Sequence, residues 1–333
     1  MRASIPKSMK AAVIDKFGGP QVLHVASIPV PELDENEVLI RVRLAGVGVW
    51  DPWLREGGSG AKHFPLVLGT EGAGTVVARG SKARRFKVGD RVYAYAFDTP
   101  KGGFYAEYVA VSEDDAAAIP ANLSTNEAGA LPASGVTALV GLEKLSVGKD
   151  GALMILGASG GVGHVALQLA RRMGVRTLAV ASRRDGVDLT RRLGADRAVE
   201  GHNVNVLGAV KDFAPDGLDA ALAFANSEKL TEALDRVKKG GRIAYPNGVE
   251  PEPKGRSGVK VHAYDGAPSP EAFERLNGLI ARGAFRVAVS RTYPLQEAAQ
   301  AHRDVLKHHI GKLGLRISAL SSSPARGRKT ARR

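Results

Sequence analysis

The feature that constrains this chain most is a seven-residue turn, Gly157-Ala158-Ser159-Gly160-Gly161-Val162-Gly163, set between two different textures. Before it, Leu153–Leu156 has no polar residue, the pattern of a strand buried on both faces. After it, Val162, Val165, Ala166 and Leu169 recur at i, i+3, i+4 and i+7, one face of an amphipathic helix. A strand that enters a helix through clustered glycines brings free backbone N–H groups of the helix N-terminus close to a pyrophosphate. The cluster alone would mean only a tight turn. In this strand–turn–helix setting it predicts that Gly157, Ala158, Ser159, Gly160, Gly161, Val162 and Gly163 bind a dinucleotide.

The alternation continues beyond the turn. Strands are expected at Thr177–Ala181, Leu218–Phe224, Gly241–Tyr245 and Val259–Ala263, with a short helix ending at Leu193-Gly194 and another at Glu228–Lys238. That order predicts a parallel, doubly wound sheet over residues 126–264. Upstream the texture is β-rich. Segments at Lys10–Asp15, Glu37–Val42, Gly74–Ala78, Arg91–Ala96 and Tyr105–Val111 are separated by glycine turns, as in a small barrel or sandwich. Downstream, a helix (Pro270–Arg282), a strand around Arg286–Val289, a helix (Gln296–His308) and a strand (Leu313–Ile317) are expected to return to that first unit. Its extent is then 1–125 with 265–320, followed by a basic, disordered tail over 321–333. Met9-Lys10 opens the first strand directly, so Met1–Ser8 reads as a dispensable extension, or as the result of translation starting at Met9.

The end of the second strand of the parallel sheet selects the dinucleotide. An acid there would bind the ribose 2′-hydroxyl of NAD. Ser182-Arg183-Arg184 stands in that place, nineteen residues after Gly163, and the first carboxylate is Asp185. A hydroxyl and guanidinium groups match a 2′-phosphate, so NADP(H) is expected, against the alternative of a plain surface charge run.

The net charge of +13 raises nucleic acid as a partner. Five of those charges lie in the last ten residues, leaving +8, and pairs such as Arg171-Arg172 and Arg191-Arg192 read as solvated helix faces. No nucleic-acid partner is expected beyond weak charge contacts of the tail. Cysteine is absent, which removes disulfides and thiolate metal sites, and the eight histidines form no HxxxH or HExxH pattern, so no metal is expected. No apolar run approaches the ~20 residues that span a bilayer. The first ten residues lack a signal-peptide core, so a cytoplasmic location without membrane partners is expected.

Seven segments then follow in an order that resembles one family: MKAAVIDKFGGP (9–20), PLVLGTEGAGTV (65–76), FKVGDRVYAY (86–95), GGFYAEYVAV (102–111), ALPASGVTAL (130–139), GASGGVGHVALQLA (157–170) and YPLQEAAQAHR (293–303). From Met9 to Ile317 the chain resembles the medium-chain dehydrogenase/reductase superfamily, in particular its zinc-free NADPH:quinone oxidoreductase-like branch. The resemblance implies an α/β fold: a GroES-like β-rich catalytic domain interrupted by a Rossmann domain, with the active site between them. It implies NADP(H), and a homodimer or homotetramer paired through an edge strand near Val259–Ala263. Zinc-containing members carry metal ligands at positions that fall here on Gly48, Thr70 and Ala133, none of which fits zinc. Glu71 is expected to be structural.

Without a Lewis acid, hydride addition to an electrophilic acceptor is the accessible chemistry: a quinone, or the β-carbon of an α,β-unsaturated carbonyl. By place in the family pattern, Thr137 stands beside the nicotinamide, Asn247-Gly248 border its ring, and Asn226 lies nearby. Gly48, Trp50 and Trp53 line the acceptor pocket, with core packing the alternative for Trp53. The chain departs from the family's Asn-Pro-x-Asp by having Gly48-Val49-Trp50-Asp51, which makes the pocket more apolar. No proton donor is assigned: Tyr95, Tyr105 and Tyr245 are candidates by location, and solvent is the alternative. Two competing readings are an enone or enal double-bond reductase without quinone activity, and a non-catalytic NADPH-binding protein with weak RNA affinity.

Overall fold

The computed structural model describes residues 5–58, 63–97, 99–202 and 205–317. The basic tail expected over 321–333 lies outside these residues, as do Met1–Ser4 of the expected extension. Ser8 does not belong to an extension: it opens the strand Ser8–Ile14 and pairs with Pro29, and the Lys7 carbonyl accepts from the Val30 N–H at 3.1 Å.

Six parallel strands form one sheet in the spatial order Arg197–Glu200, Arg176–Ala181, Ala152–Leu156, Leu218–Ala223, Val237–Pro246 and Lys260–Tyr264. In chain order that is 3-2-1-4-5-6, the doubly wound arrangement. Every residue of Ala152–Leu156 is buried, as a strand covered on both faces requires. On one face lie the helices Pro132–Leu145, Gly163–Arg172 and Pro270–Ile280. The other face packs Met154, Val180 and Ile243 against Val210 and Phe213 of the helix Val206–Phe213 and Leu234 of the helix Glu228–Leu234.

The β-rich unit is built on the eleven-residue strand Glu37–Val47. One side of this strand pairs with Glu71–Arg79. Its other side is shared: Tyr108–Ser112 takes the first half and Lys312–Arg316 the second. Val289–Pro294, Arg91–Tyr95 and Ala116–Ala118 extend that sheet, and His24–Pro29, Ser8–Ile14 and Leu66–Val67 form a smaller one. Ile14, Ile40, Val92, Phe104, Tyr293 and Leu315 meet in one core, so the C-terminal strands are integral to the N-terminal unit.

Several boundaries differ from expectation. The helix expected to Lys238 ends at Leu234, because Val237 already begins a strand. Arg286–Ala288 is held as an irregular segment by Gln168 and His164, and the strand starts at Val289. The helix expected over Gln296–His308 is regular only from Ala298 to Asp304. Pro132–Leu145 gave no amphipathic signal because it is buried nearly all round. Within it Gly141 admits the Tyr264 hydroxyl, which would lie 2.3 Å from a Cβ there. Arg172 is not merely solvated: its guanidinium lies 5.0 Å over the Phe285 ring.

The two units share a core. Leu44, Ala73 and Tyr93 of the β-rich sheet pack in the same cluster as Leu139 and Val165, and Tyr93 meets Phe273 edge-on at 5.3 Å while its hydroxyl donates to Asn277 Oδ1 at 2.7 Å. Phe273→Ala opens this junction and should cost about 3–5 kcal/mol, measured by urea unfolding. A cost near zero would mean that the units do not depend on this contact.

Candidate active site

In a doubly wound sheet the ligand crevice lies outside the carboxyl ends of the strands, where the strand order reverses. Here that point is beside Ala152–Leu156, and the turn 157–163 stands at it. Gly157 has φ +73°, and a Cβ on Gly163 would lie 2.2 Å from the Gly157 carbonyl oxygen. Only glycine lets the helix begin this close to the strand. The Ser159 carbonyl accepts from the Gly311 N–H at 2.7 Å, which ties the turn to the C-terminal segment. His164 adds a second tie: its Nδ1 lies 2.9 Å from the Gly160 carbonyl and its Nε2 3.1 Å from the Ala288 N–H. A neutral ring protonated on Nδ1 satisfies both, and burial holds its pKa down at about 4.

Around this turn the residues expected to hold the cofactor occupy one rim. Ser182 closes the strand Arg176–Ala181, and Arg183 and Arg184 are exposed at the start of the helix Arg184–Arg192. Thr137 is half-buried, and Gly266 packs so closely that a Cβ there would meet Thr137 Oγ1 at 2.6 Å. Asn247 donates from Nδ2 to Asp265 Oδ2 at 2.8 Å, and Gly248, at φ +90°, borders open space. Asn226 donates to the Pro251 carbonyl at 2.9 Å, and its Oδ1 is buried without a partner among the described residues. Exposed donors, an unfilled buried acceptor and a glycine-lined approach fit a dinucleotide.

The acceptor side is built around a buried ion pair that the sequence did not reveal. Lys312 Nζ lies 2.6 Å from Glu71 Oε1, with side chains 4% and 0% exposed, and the Ala133 N–H donates to Glu71 Oε2 at 2.9 Å. The ammonium also stands 4.9 Å over the Trp50 ring. Trp50 Nε1 donates to Thr70 Oγ1 at 2.8 Å, and the indole covers Gly48 so closely that a Cβ there would lie 2.3 Å from it. Gly48, Thr70 and Ala133 thus surround an ammonium, a carboxylate and an indole. Trp53 is 55% exposed and lies over Gly58, apart from this cluster.

Beneath it sits Asp51, wholly buried, accepting on Oδ2 from the Gly48 N–H and the Tyr105 hydroxyl, each at 2.8 Å. Burial pushes its pKa up to about 7, against the pull of those two hydrogen bonds, and its Oδ1 has no partner among the described residues. The three tyrosines separate. Tyr105 is buried, its hydroxyl donating to Asp51. Tyr245 packs on the sheet face opposite the β-rich unit. Tyr95 is half-buried, and burial, followed by the charges of Glu71, Asp265 and Asp51, raises its pKa to about 12. Among the described residues no group of three or more metal-ligating side chains is assembled.

Known proteins place this arrangement. Residues 34–121 match the alcohol dehydrogenase GroES-like domain and residues 161–254 the zinc-binding dehydrogenase domain. The chain is 32% identical to a pig quinone oxidoreductase over 94% of its own length and 98% of the relative's. It is also 32% identical to a chloroplastic NADPH-dependent alkenal/one oxidoreductase of Arabidopsis thaliana, over 92% and 79%. The chain belongs to the quinone oxidoreductase-like branch of the medium-chain dehydrogenase/reductase superfamily. A mycobacterial structure solved with NADPH superposes at a TM-score of 0.79 with 26% identity, covering 92% of this chain and 99% of that one.

In this oxidoreductase the Lys312–Glu71 pair is the electrostatic centre of the site. Lys312→Met leaves a buried carboxylate unpaired and should cost about 3–5 kcal/mol, whereas adding Glu71→Leu should recover most of that loss. Urea unfolding of the single and double variants checks this. A double variant no more stable than the single would show that the pair is not what requires Lys312.

Proposed function

We propose that the protein reduces quinones or α,β-unsaturated carbonyls with NADPH, without zinc. The observation that carries this reading is the filling of the positions Gly48, Thr70 and Ala133 by Trp50 and the Lys312–Glu71 pair. A lysine ammonium and an indole occupy the space where a metal would need anionic or imidazole ligands, and neither can coordinate one. When bound, NADPH supplies the hydride. The chain's own residues orient it: the turn 157–163 takes the pyrophosphate, Thr137, Asn247 and Gly248 border the nicotinamide, and Ser182, Arg183 and Arg184 take the 2′-phosphate. Trp50 presents an apolar wall to a flat, conjugated acceptor. Tyr95 keeps its proton at neutral pH and is the candidate donor to the reduced acceptor, and Asp51 with Tyr105 forms a reserve of protons behind the wall.

The deciding experiment is NADPH oxidation at 340 nm against 9,10-phenanthrenequinone, 1,4-benzoquinone, an alkyl enone and 2-hexenal, with NADH in parallel and with a chelator. We expect turnover that survives the chelator and favours NADPH, with Arg183→Ala raising the KM for NADPH about 10- to 100-fold. A saturated carbonyl product without quinone turnover selects the enone reading. Tight NADPH binding without turnover overturns the enzymatic one.

We further propose that the protein forms a dimer through Lys260–Tyr264. That strand ends the parallel sheet, and its exposed Lys260, Val261 and Ala263 leave one backbone edge open. Ala263→Pro should turn a dimer into a monomer in light scattering, and an unchanged mass would place the contact elsewhere.

A further inference from the structure

The coil that follows the helix Ala298–Asp304 crosses from the β-rich unit to the rim of the cofactor crevice. It is anchored there by the Gly311 N–H on the Ser159 carbonyl, 2.7 Å, and by the Lys312 N–H on the Ala288 carbonyl, also 2.7 Å. On this coil His308 reaches the end of the strand Arg176–Ala181. Its Nε2 lies 3.0 and 3.2 Å from the two carboxylate oxygens of Asp185, and its Nδ1 lies 3.3 Å from Ser182 Oγ. The His308 side chain is 24% exposed and that of Asp185 52%. One imidazole therefore joins the hydroxyl proposed for the 2′-phosphate to the first carboxylate after it, across 126 and 123 residues of chain.

This contact changes what Asp185 means. A free carboxylate beside the ribose repels a 2′-phosphate and accepts from a 2′-hydroxyl, so it favours NAD. His308 occupies that carboxylate, and its hydrogen bond is the chief cause that holds the Asp185 pKa below the usual carboxylate range. With Nε2–H on Asp185, Nδ1–H can only point toward Ser182, the side on which a phosphate on that hydroxyl would sit. We propose that His308 is a specificity-determining residue of the 2′-phosphate site: it donates from Nδ1 to the phosphate while its Nε2–H keeps Asp185 from opposing it. The proposal rests on the reading of Ser182, Arg183 and Arg184 as the NADPH-selecting turn.

The surroundings of His308 carry charges of both signs. The groups around it are Asp185, Arg183 and Arg184 at the start of the helix Arg184–Arg192, and Lys307 and His309 on its own coil. Glu200 stands on the adjacent strand, opposite Ala181. Asp185 is the hydrogen-bonded partner, and the arginines and Lys307 add positive charge that favours a phosphate on the Ser182 side.

The test is isothermal titration of the full chain with NADPH and with NADH at neutral pH, for the wild type, His308→Gln and His308→Gln/Asp185→Asn. We expect His308→Gln to weaken NADPH about tenfold, as loss of one charge-assisted contact does, while NADH binding is kept or strengthened by the uncovered carboxylate. Removing the uncovered carboxylate in the double variant should recover part of the NADPH affinity. Retained NADH binding establishes that the variants are folded. A wild type that binds NADH as well as NADPH overturns the NADPH reading itself. A wild type that prefers NADPH, with His308→Gln preferring it equally, overturns the role of His308 alone.

Discussion

The site depends on one buried ion pair. Glu71 begins a strand at the middle of the β-rich sheet with no exposed side-chain surface, and a carboxylate there is costly unless its oxygens are bonded and its charge is met. Lys312 meets the charge and the Ala133 N–H fills the other oxygen. Those contacts join a strand of the first unit, the start of the helix Pro132–Leu145 and the last strand of the chain. Because the Lys312 stem also lies against Gly161 and its ammonium against the Trp50 ring, the same side chain joins the glycine turn to the indole. The segment before it adds the bonds to Ser159 and Ala288, and Ala288 in turn bonds His164. The glycine turn and the Trp50 cluster are therefore held in one frame.

How much of this was legible in the sequence follows from the range of each signal. The glycine turn, the apolar strand before it and the helix after it are encoded within twenty residues, and the structure places them as expected. Ser182-Arg183-Arg184 is likewise local, and it stands at the expected strand end. Lys312 and His308 were not legible. Each acts on residues more than a hundred positions away, and a lone lysine or a histidine pair near the C-terminus carries no pattern that separates a buried partner from a solvated one. Glu71 was read as structural, but nothing near it in sequence named its partner. Pro132–Leu145 was missed as a helix for a related reason: periodicity needs a polar face, and this helix has almost none.

The candidate tyrosines show the same limit at the level of single side chains. Tyr95, Tyr105 and Tyr245 are equivalent as letters near the cleft. Alternation along a strand then sends Tyr245 to the far face of the parallel sheet, while Ala244 faces the shared core. Tyr105 is separated by its partner: its hydroxyl donates to Asp51, and full burial leaves no room for an acceptor. Tyr95 keeps a half-buried position beside the charges of Glu71 and Asp265. Which phenol can reach an acceptor is thus fixed by sheet register and burial.

The two ends of the crevice each place a cation on a carboxylate, and their burial makes them different devices. Lys312–Glu71 is sealed from water, so neither partner can be exposed without leaving the other's charge in a low-dielectric interior; such a pair is rigid and acts as scaffold. His308–Asp185 is open to solvent, where such a pair contributes at most about 1 kcal/mol. The weaker pair is the one that can respond to a ligand. The contact of His308 with Asp185 and Ser182 costs little to rearrange, whereas the charges of Lys312 and Glu71 cannot move apart without leaving a buried charge unpaired. The difference arises from how deeply each pair is buried.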